Sequence, residues 1–222
     1  FCGSGITTVN LAAASIMSGM EDVVVDGGTE MMSYPASSAD RSGGPPMMDA
    51  GNLRLRARHP QSQQGVCADA VATLEGIDRR ALDELALLSQ QRADTAIREG
   101  RFDKALIPVY REDGALALDR EEFPRPQTTL EGLSALKASF EMVVNVPVDD
   151  QGTTYGDLIR RVYPDLKIQH MHHAGNSSGV VDGAAAVLLA SADYAARNGL
   201  KPRGRVVAMA NVGDCPTLML NA

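Results

Sequence analysis

Residues 2–28 read CGSGITTVNLAAASIMSGMEDVVVDGG: a cysteine in a glycine-rich turn, then one helical and one strand-like segment. Ile6–Met17 reads as a helix that Ser18-Gly19 ends. Val23-Val24-Val25 is a short apolar run suited to a buried parallel strand, which Asp26-Gly27-Gly28 is expected to close with a turn. A helix–strand pair of this kind belongs in an α/β layer architecture. Cys2 sits where the helix begins. The free N–H groups and partial positive charge of a helix N-terminus favour thiolate over thiol. Gly3 and Gly5, on either side of Ser4, let a substrate carbonyl come close to the backbone. Cys2 is therefore the candidate nucleophile for acyl transfer. Only Phe1 precedes it, where a nucleophile elbow normally follows a buried strand.

Farther along, the pattern dissolves into Pro, Gly, Ser and Asp from Tyr34 to about Gly65, including Gly43-Gly44-Pro45-Pro46. That stretch is expected to be a long irregular loop. A helix follows with Asp78 as N-cap, an apolar stripe at Leu82, Leu85, Ala86, Ala93, Ala96 and Ile97, and Gly100 as its stop. Ile107–Tyr110 and Ala115–Leu118 flank Asp113-Gly114 and read as a hairpin. Leu130–Leu136 is helical in pattern, and residues 141–169 carry no clear period. Asp182–Ala190 then ends in an apolar run that reads as a buried central strand. Ser191 caps a helix running to Asn198-Gly199, and Arg205–Ala210 reads as one more strand. No internal repeat is present.

With 222 residues, 44% of them hydrophobic, the chain has material for one or two domains with a real core. No apolar run approaches the roughly 20 residues needed to span a bilayer, and no basic-then-apolar leader begins the sequence. The formal charge of −7 argues against non-specific nucleic-acid binding. Three widely separated cysteines do not form a disulfide framework and fit a reducing cytoplasm.

Several separated motifs, in order, resemble those of the thiolases, the family of acetyl-CoA acetyltransferases and 3-ketoacyl-CoA thiolases. Cys2-Gly3-Ser4-Gly5 is similar to the nucleophile elbow, and Gly27-Gly28-Thr29-Glu30-Met31-Met32-Ser33 to the stretch after the next strand. Gln64-Gly65 with Ala68-Asp69, Ser89-Gln90-Gln91, and Arg125-Pro126-x-Thr128-Thr129-Leu130 resemble the loop domain. Ala174-Gly175-Asn176-Ser177-Ser178-Gly179 followed by Asp182-Gly183-Ala184 is similar to the family's Ala-Gly-Asn-x-Ser-Gly-x-x-Asp-Gly-Ala pattern. The resemblance implies an α/β chain, part of a layered α-β-α fold with a long loop-domain insertion, incomplete at both ends. It divides the chain into residues 1–33 (second part of the N-terminal domain), 34–168 (loop-domain insertion), 169–200 (end of the N-terminal domain) and 201–222 (start of the C-terminal domain).

The same resemblance implies an acyl-cysteine on Cys2, formed from a CoA thioester and passed to a second CoA thiol or CoA-bound carbanion. It makes Ala174, Gly175 and Ser178 candidates for contact with coenzyme A, a substrate rather than a permanently bound cofactor. The expected assembly is a cytoplasmic homodimer or homotetramer when intact, with no metal, nucleic acid or membrane partner. The family's Gly-His-Pro and Cys-x-Gly-Gly-Gly motifs, which carry its activating histidine and second catalytic cysteine, are not in these 222 residues. The chain is thus expected to be an internal piece of a thiolase, inactive alone and prone to aggregation. Gln64 and His173 stand where many members have Met and Thr.

Other residues admit a functional and a plain reading. His170 and His172 would share one face of a strand, as zinc ligands do, but no Cys, Asp or Glu lies beside them in sequence. His173, next to the candidate CoA loop, touches substrate or only replaces the threonine. Arg54, Arg56 and Arg58 alternate, and in extended chain would form a basic edge that steers phosphates, or a solvated loop face. Gly27-Gly28 and Gly43-Gly44 are read as turns, not phosphate cradles. Met31-Met32 and Met47-Met48 line an acyl pocket or fill gaps. Glu30 is expected to hydrogen-bond within the fold, and Cys67 and Cys215 to be structural. A non-catalytic thiolase-like acyl-CoA or lipid-binding partner protein is the alternative reading. A ketosynthase-type condensing enzyme would lack the long insertion.

Overall fold

The computed structural model describes residues 2–34 and 52–221. In chain order its elements are α1 (Ser4–Met17), β1 (Val23–Met31), α2 (Leu53–Arg58), α3 (Gln64–Leu74), α4 (Arg79–Arg98), β2 (Val109–Tyr110), β3 (Leu116–Leu118), α5 (Leu130–Ser134), α6 (Tyr155–Arg160), β4 (Asp182–Ala190) and α7 (Ala192–Arg197). A 3-10 turn covers Val143–Asn145. The readings of Phe1, Gly43-Gly44 and Met47-Met48 lie outside the described residues. The chain forms two compact units.

One unit comprises the described part of Phe1–Pro46 together with Val180–Val212. Its centre is an antiparallel ribbon in which β1 pairs with β4 from Val23↔Ala190 to Met31↔Asp182. This differs from the sequence expectation in three respects. The strand is antiparallel rather than parallel, it continues through Asp26-Gly27-Gly28 instead of turning, and most of both strands is exposed. The ladder supplies partners for the backbone groups of Gly27 and Gly28, which outweighs their turn propensity. Glycine also suits the close approach of the strands, because a Cβ on Gly27 would lie 2.8 Å from the Ala185 carbonyl oxygen. α1 packs on the ribbon through Ala12 and Ala13, its buried residues. At one end Ser33 donates from its amide and its hydroxyl to the two oxygens of Asp182, at 2.8 and 2.6 Å. At the other, Ser191 caps α7 by accepting from the Tyr194 amide, and its hydroxyl donates to Asp22. Residues 205–210 form no strand, since no partner strand pairs with them among the described residues.

The second unit, Met47–Gly179 with Gly213–Ala222, holds the main core. Val66 and Ala70 of α3, Val144, Tyr155 and Ile159 of α6, and Leu218 form its buried cluster, with Phe140, Val148, Tyr163 and Ile168 packed around it. Full burial of a side chain such as Ile159 contributes about 1.5–3 kcal/mol. α3 and α6 were not evident in sequence. The first is rich in Gly, Ala and Val, and the second is short and set by Thr154, whose hydroxyl and Asp157 form a reciprocal capping box. α4 begins and ends as read: the Asp78 carboxylate accepts from the Ala81 amide, and Gly100 takes φ +63°. Its expected apolar stripe is buried only in part: Leu82, Ala86 and Ala93 are half-buried. Leu85 is 65% exposed and Ile97 50%, whereas Ala96 and Asp83 are buried. The hairpin forms as β2 and β3, with Gly114 at φ +82°.

Candidate functional site

Cys2 is exposed and lies one residue before Gly3, the N-cap of α1. The Gly3 carbonyl accepts from both the amide and the hydroxyl of Thr7, each at 3.1 Å. Gly3 makes no side-chain cap, and the space where a Cβ on Gly3 or Gly5 would stand is open to 4 Å. Among the described residues, the exposed thiol thus sits at the start of α1 beside two glycines that leave the backbone accessible. No histidine belongs to its unit among the described residues.

The other candidate residues lie in the second unit, where two buried aspartates organise the segment 170–178. Asp69 of α3 is fully buried. Its Oδ2 accepts from His170 Nδ1 at 2.9 Å, and its Oδ1 accepts from His172 Nδ1 at 2.7 Å and from the Met171 and His172 amides at 3.0 Å each. Burial pushes this carboxyl up. The His172 side chain, the Met171 amide, His170 and the His172 amide together outweigh that, leaving it below the ordinary aspartate range. His170 and His172 do therefore turn to one partner, but without a strand and as donors to a carboxylate.

Asp83 of α4 is the second anchor, 1% exposed. Its Oδ2 accepts from Arg79 Nε at 2.9 Å, and its Oδ1 bonds His173 Nε2 at 2.8 Å and accepts from Asn176 Nδ2 at 2.9 Å. Arg79 Nη2 donates onward to the Leu133 and Leu136 carbonyls at 2.8 and 2.9 Å. His173 Nδ1 accepts from the Gly175 amide at 3.0 Å, and Asn176 Oδ1 accepts from the His173 amide at 2.8 Å. Gly175 is pressed against the same leucines: a Cβ there would lie 2.6 Å from Leu133 Cδ2 and 2.9 Å from Leu136 Cδ1. Ala174 and Ser178 are exposed on this turn, and Gly175 is half-buried.

Sequence reasoning left out Arg79, Asp83 and the role of Asp69. An Arg–Asp pair at i and i+4 on a helix is visible in sequence but is commonly a surface feature. Only the fold shows Asp83 buried.

The arginine row takes another form than the one expected. Its residues lie on α2, so Arg54 and Arg58 are one turn apart on the helix and Arg56 faces elsewhere, donating to the Val148 carbonyl. Cys67 is fully buried, and burial pushes its thiol up to about 12; its Sγ–H donates to the Thr217 carbonyl at 3.2 Å. Cys215 is half-buried. Glu30 accepts from the Met31 amide at 2.9 Å. Among the described residues no group of three or more His, Cys, Asp or Glu is arranged to hold a metal ion, and no helix is long and apolar enough to cross a membrane.

Comparison with known proteins places this geometry in context. The model of the thiolase N-terminal domain family matches residues 1–147. Acetyl-CoA acetyltransferases of Thiocystis violacea and Cupriavidus necator are each 35% identical over 228 residues, covering 98% of this chain and 51% of the relative. A beta-ketoadipyl-CoA thiolase of Pseudomonas aeruginosa is 34% identical over 231 residues, with the same coverage. The crystal structure of the dimeric peroxisomal thiolase of Saccharomyces cerevisiae is similar at a TM-score of 0.70 and 29% identity, covering 98% of this chain and 49% of that one. The chain spans about half the length of the curated relatives it matches.

Proposed function

The chain belongs to the thiolase family, and from that premise we propose that it carries the acyl-accepting part of an enzyme that moves acyl groups between CoA thioesters. The observation that carries this reading is the exposed Cys2 thiol at the start of α1. In the proposed step the Cys2 thiolate attacks the thioester carbonyl carbon. The new S–C bond forms as the bond to the CoA sulfur breaks, and the departing CoA thiolate takes a proton from solvent. The acyl-cysteine is then resolved by a second CoA thiol in the cleavage direction, or by a CoA-bound carbanion in condensation. Ala174, Gly175 and Ser178 are proposed to contact coenzyme A. The proposed assembly is a cytoplasmic homodimer or homotetramer, in line with the dimeric yeast relative.

A nucleophile of this kind needs a base, and the unit that bears Cys2 offers no imidazole among its described residues. The 222-residue chain is therefore proposed to lack turnover. Incubated with acetoacetyl-CoA and CoA, it is expected to release no acetyl-CoA above background, while mass spectrometry finds a slow acyl adduct on Cys2 that Cys2→Ala abolishes. Turnover that depends on Cys2 would falsify the inactivity. CoA binding with no adduct on Cys2 favours a non-catalytic acyl-CoA-binding protein instead.

A further inference from the structure

The Arg79–Asp83–His173 network lies beneath the candidate CoA turn and touches none of the exposed residues assigned to it. We propose that Asp83 and His173 are positioning residues, which set the conformation of the 174–178 turn by holding one imidazole tautomer. Its bearing on coenzyme A rests on the reading of that turn given above.

The tautomer follows from the partners. The Gly175 amide can only donate, and it points at His173 Nδ1 from 3.0 Å, so Nδ1 carries a lone pair. The ring proton is then on Nε2, which donates to Asp83 Oδ1 at 2.8 Å. The opposite tautomer would set N–H against N–H at Gly175 and a lone pair against the carboxylate. An imidazolium would keep the Asp83 bond but place Nδ1–H against the Gly175 amide. His173 and Asp83 are each 1% exposed, so water cannot relieve either mismatch. One species alone satisfies both sides.

That species also closes a ring around the turn. Asp83 Oδ1 holds Asn176 through Nδ2, and Asn176 Oδ1 returns to the His173 amide. Arg79 holds Asp83 in place and reaches the carbonyls of the two leucines that Gly175 leans on. The turn is thus fastened to α4 and α5 at its base, with Ala174 and Ser178 outward.

The test uses the full 222-residue chain labelled with 15N. Long-range imidazole correlations should show His173 with Nε2 protonated and Nδ1 bare at neutral pH, and the Gly175 amide should be protected from exchange. Two variants divide the roles of the ring. H173Q keeps a donor within reach of Asp83 but offers no acceptor at the Nδ1 position. H173N keeps an acceptor near that position but falls short of Asp83. Gly175 exchange is expected to accelerate about tenfold or more in H173Q, with CoA affinity, read from amide shifts of 174–178, weakened about tenfold. H173N should restore most of the Gly175 protection.

A role confined to packing would lower the stability of both variants and leave Gly175 no more exposed than the amides of α4, which overturns the proposal. An imidazolium or a protonated Nδ1 in the wild-type chain also overturns it, whether or not the variants fold. If CoA shifts the turn of the wild-type chain and H173Q leaves its affinity unchanged, the link to CoA positioning fails. If CoA shifts none of residues 174–178 while tautomer and Gly175 protection are as stated, the CoA reading of the turn falls. The dependence of the turn on His173 then stands.

Discussion

Asp69 is fully buried yet met by four donors. Its folded-state pKa is depressed, so the stability it contributes is complete above the ordinary aspartate value of about 3.9 and is lost as pH falls through its lower folded value. Asp69→Asn turns an acceptor oxygen into an amide donor facing other donors, at an expected cost of about 3 kcal/mol. Urea unfolding at pH 7 and near pH 3 checks both statements. The wild-type chain should lose stability between the two, and the variant should lose less. Equal losses would show that other carboxylates dominate the acid limb.

Among the secondary-structure elements, the Asp78 and Ser191 caps fall where the sequence places them, whereas the Thr129 and Thr154 caps emerge only in the structure. Asp78, Thr129, Thr154 and Ser191 each accept from the first turn of the helix they precede. The Thr154–Asp157 box at α6 has a measurable consequence. The Thr154 amide first, then Arg160 and the Thr154 hydroxyl, hold the Asp157 carboxyl down at about 2. Thr154→Ala should raise that pKa toward the ordinary aspartate range and destabilise the unit by about 1 kcal/mol. Carboxyl NMR titration and a denaturation curve read the two effects. The contribution of Asp157 is present above the ordinary aspartate pKa and fades as pH falls toward 2. Because this side chain is 44% exposed, solvent screens much of its energetic value.

The distribution of core between the two units sets their expected behaviour. Met47–Gly179 with Gly213–Ala222 contains the buried cluster around Val66, Ile159 and Leu218. The β1–β4 ribbon instead shows Val25, Val187 and Leu188 at 70%, 52% and 58% exposure. Hydrogen exchange should therefore find the slowest amides in α3 and α6 and faster exchange along β1 and β4. Exposed apolar ribbon of this kind also favours self-association. Val25→Lys with Leu188→Lys should reduce the light scattered by concentrated samples while leaving the α3 and α6 protection unchanged. Slow exchange in the ribbon, or scattering that the double variant does not change, would contradict this distribution.

Local rules made much of this protein legible. Asp78 and Ser191 cap, and Gly100, Gly114 and Gly199 take positive φ, because each depends on near neighbours in sequence. Other features depended on partners far along the chain. The antiparallel pairing of Val23–Met31 with Asp182–Ala190 and the packing of Leu218 in one core with Val66 and Ala70 of α3 join residues about 150 positions apart or more. So does the burial of Asp69 and Asp83 beneath 170–176, across some 90 to 100 positions. The Asp78 and Ser191 caps and the turns at Gly100, Gly114 and Gly199 were determined by sequence, since their energies are local. Strand direction, which faces are buried, and the tautomer of His173 were decided only by the tertiary structure, because each is set by what a distant segment places against it.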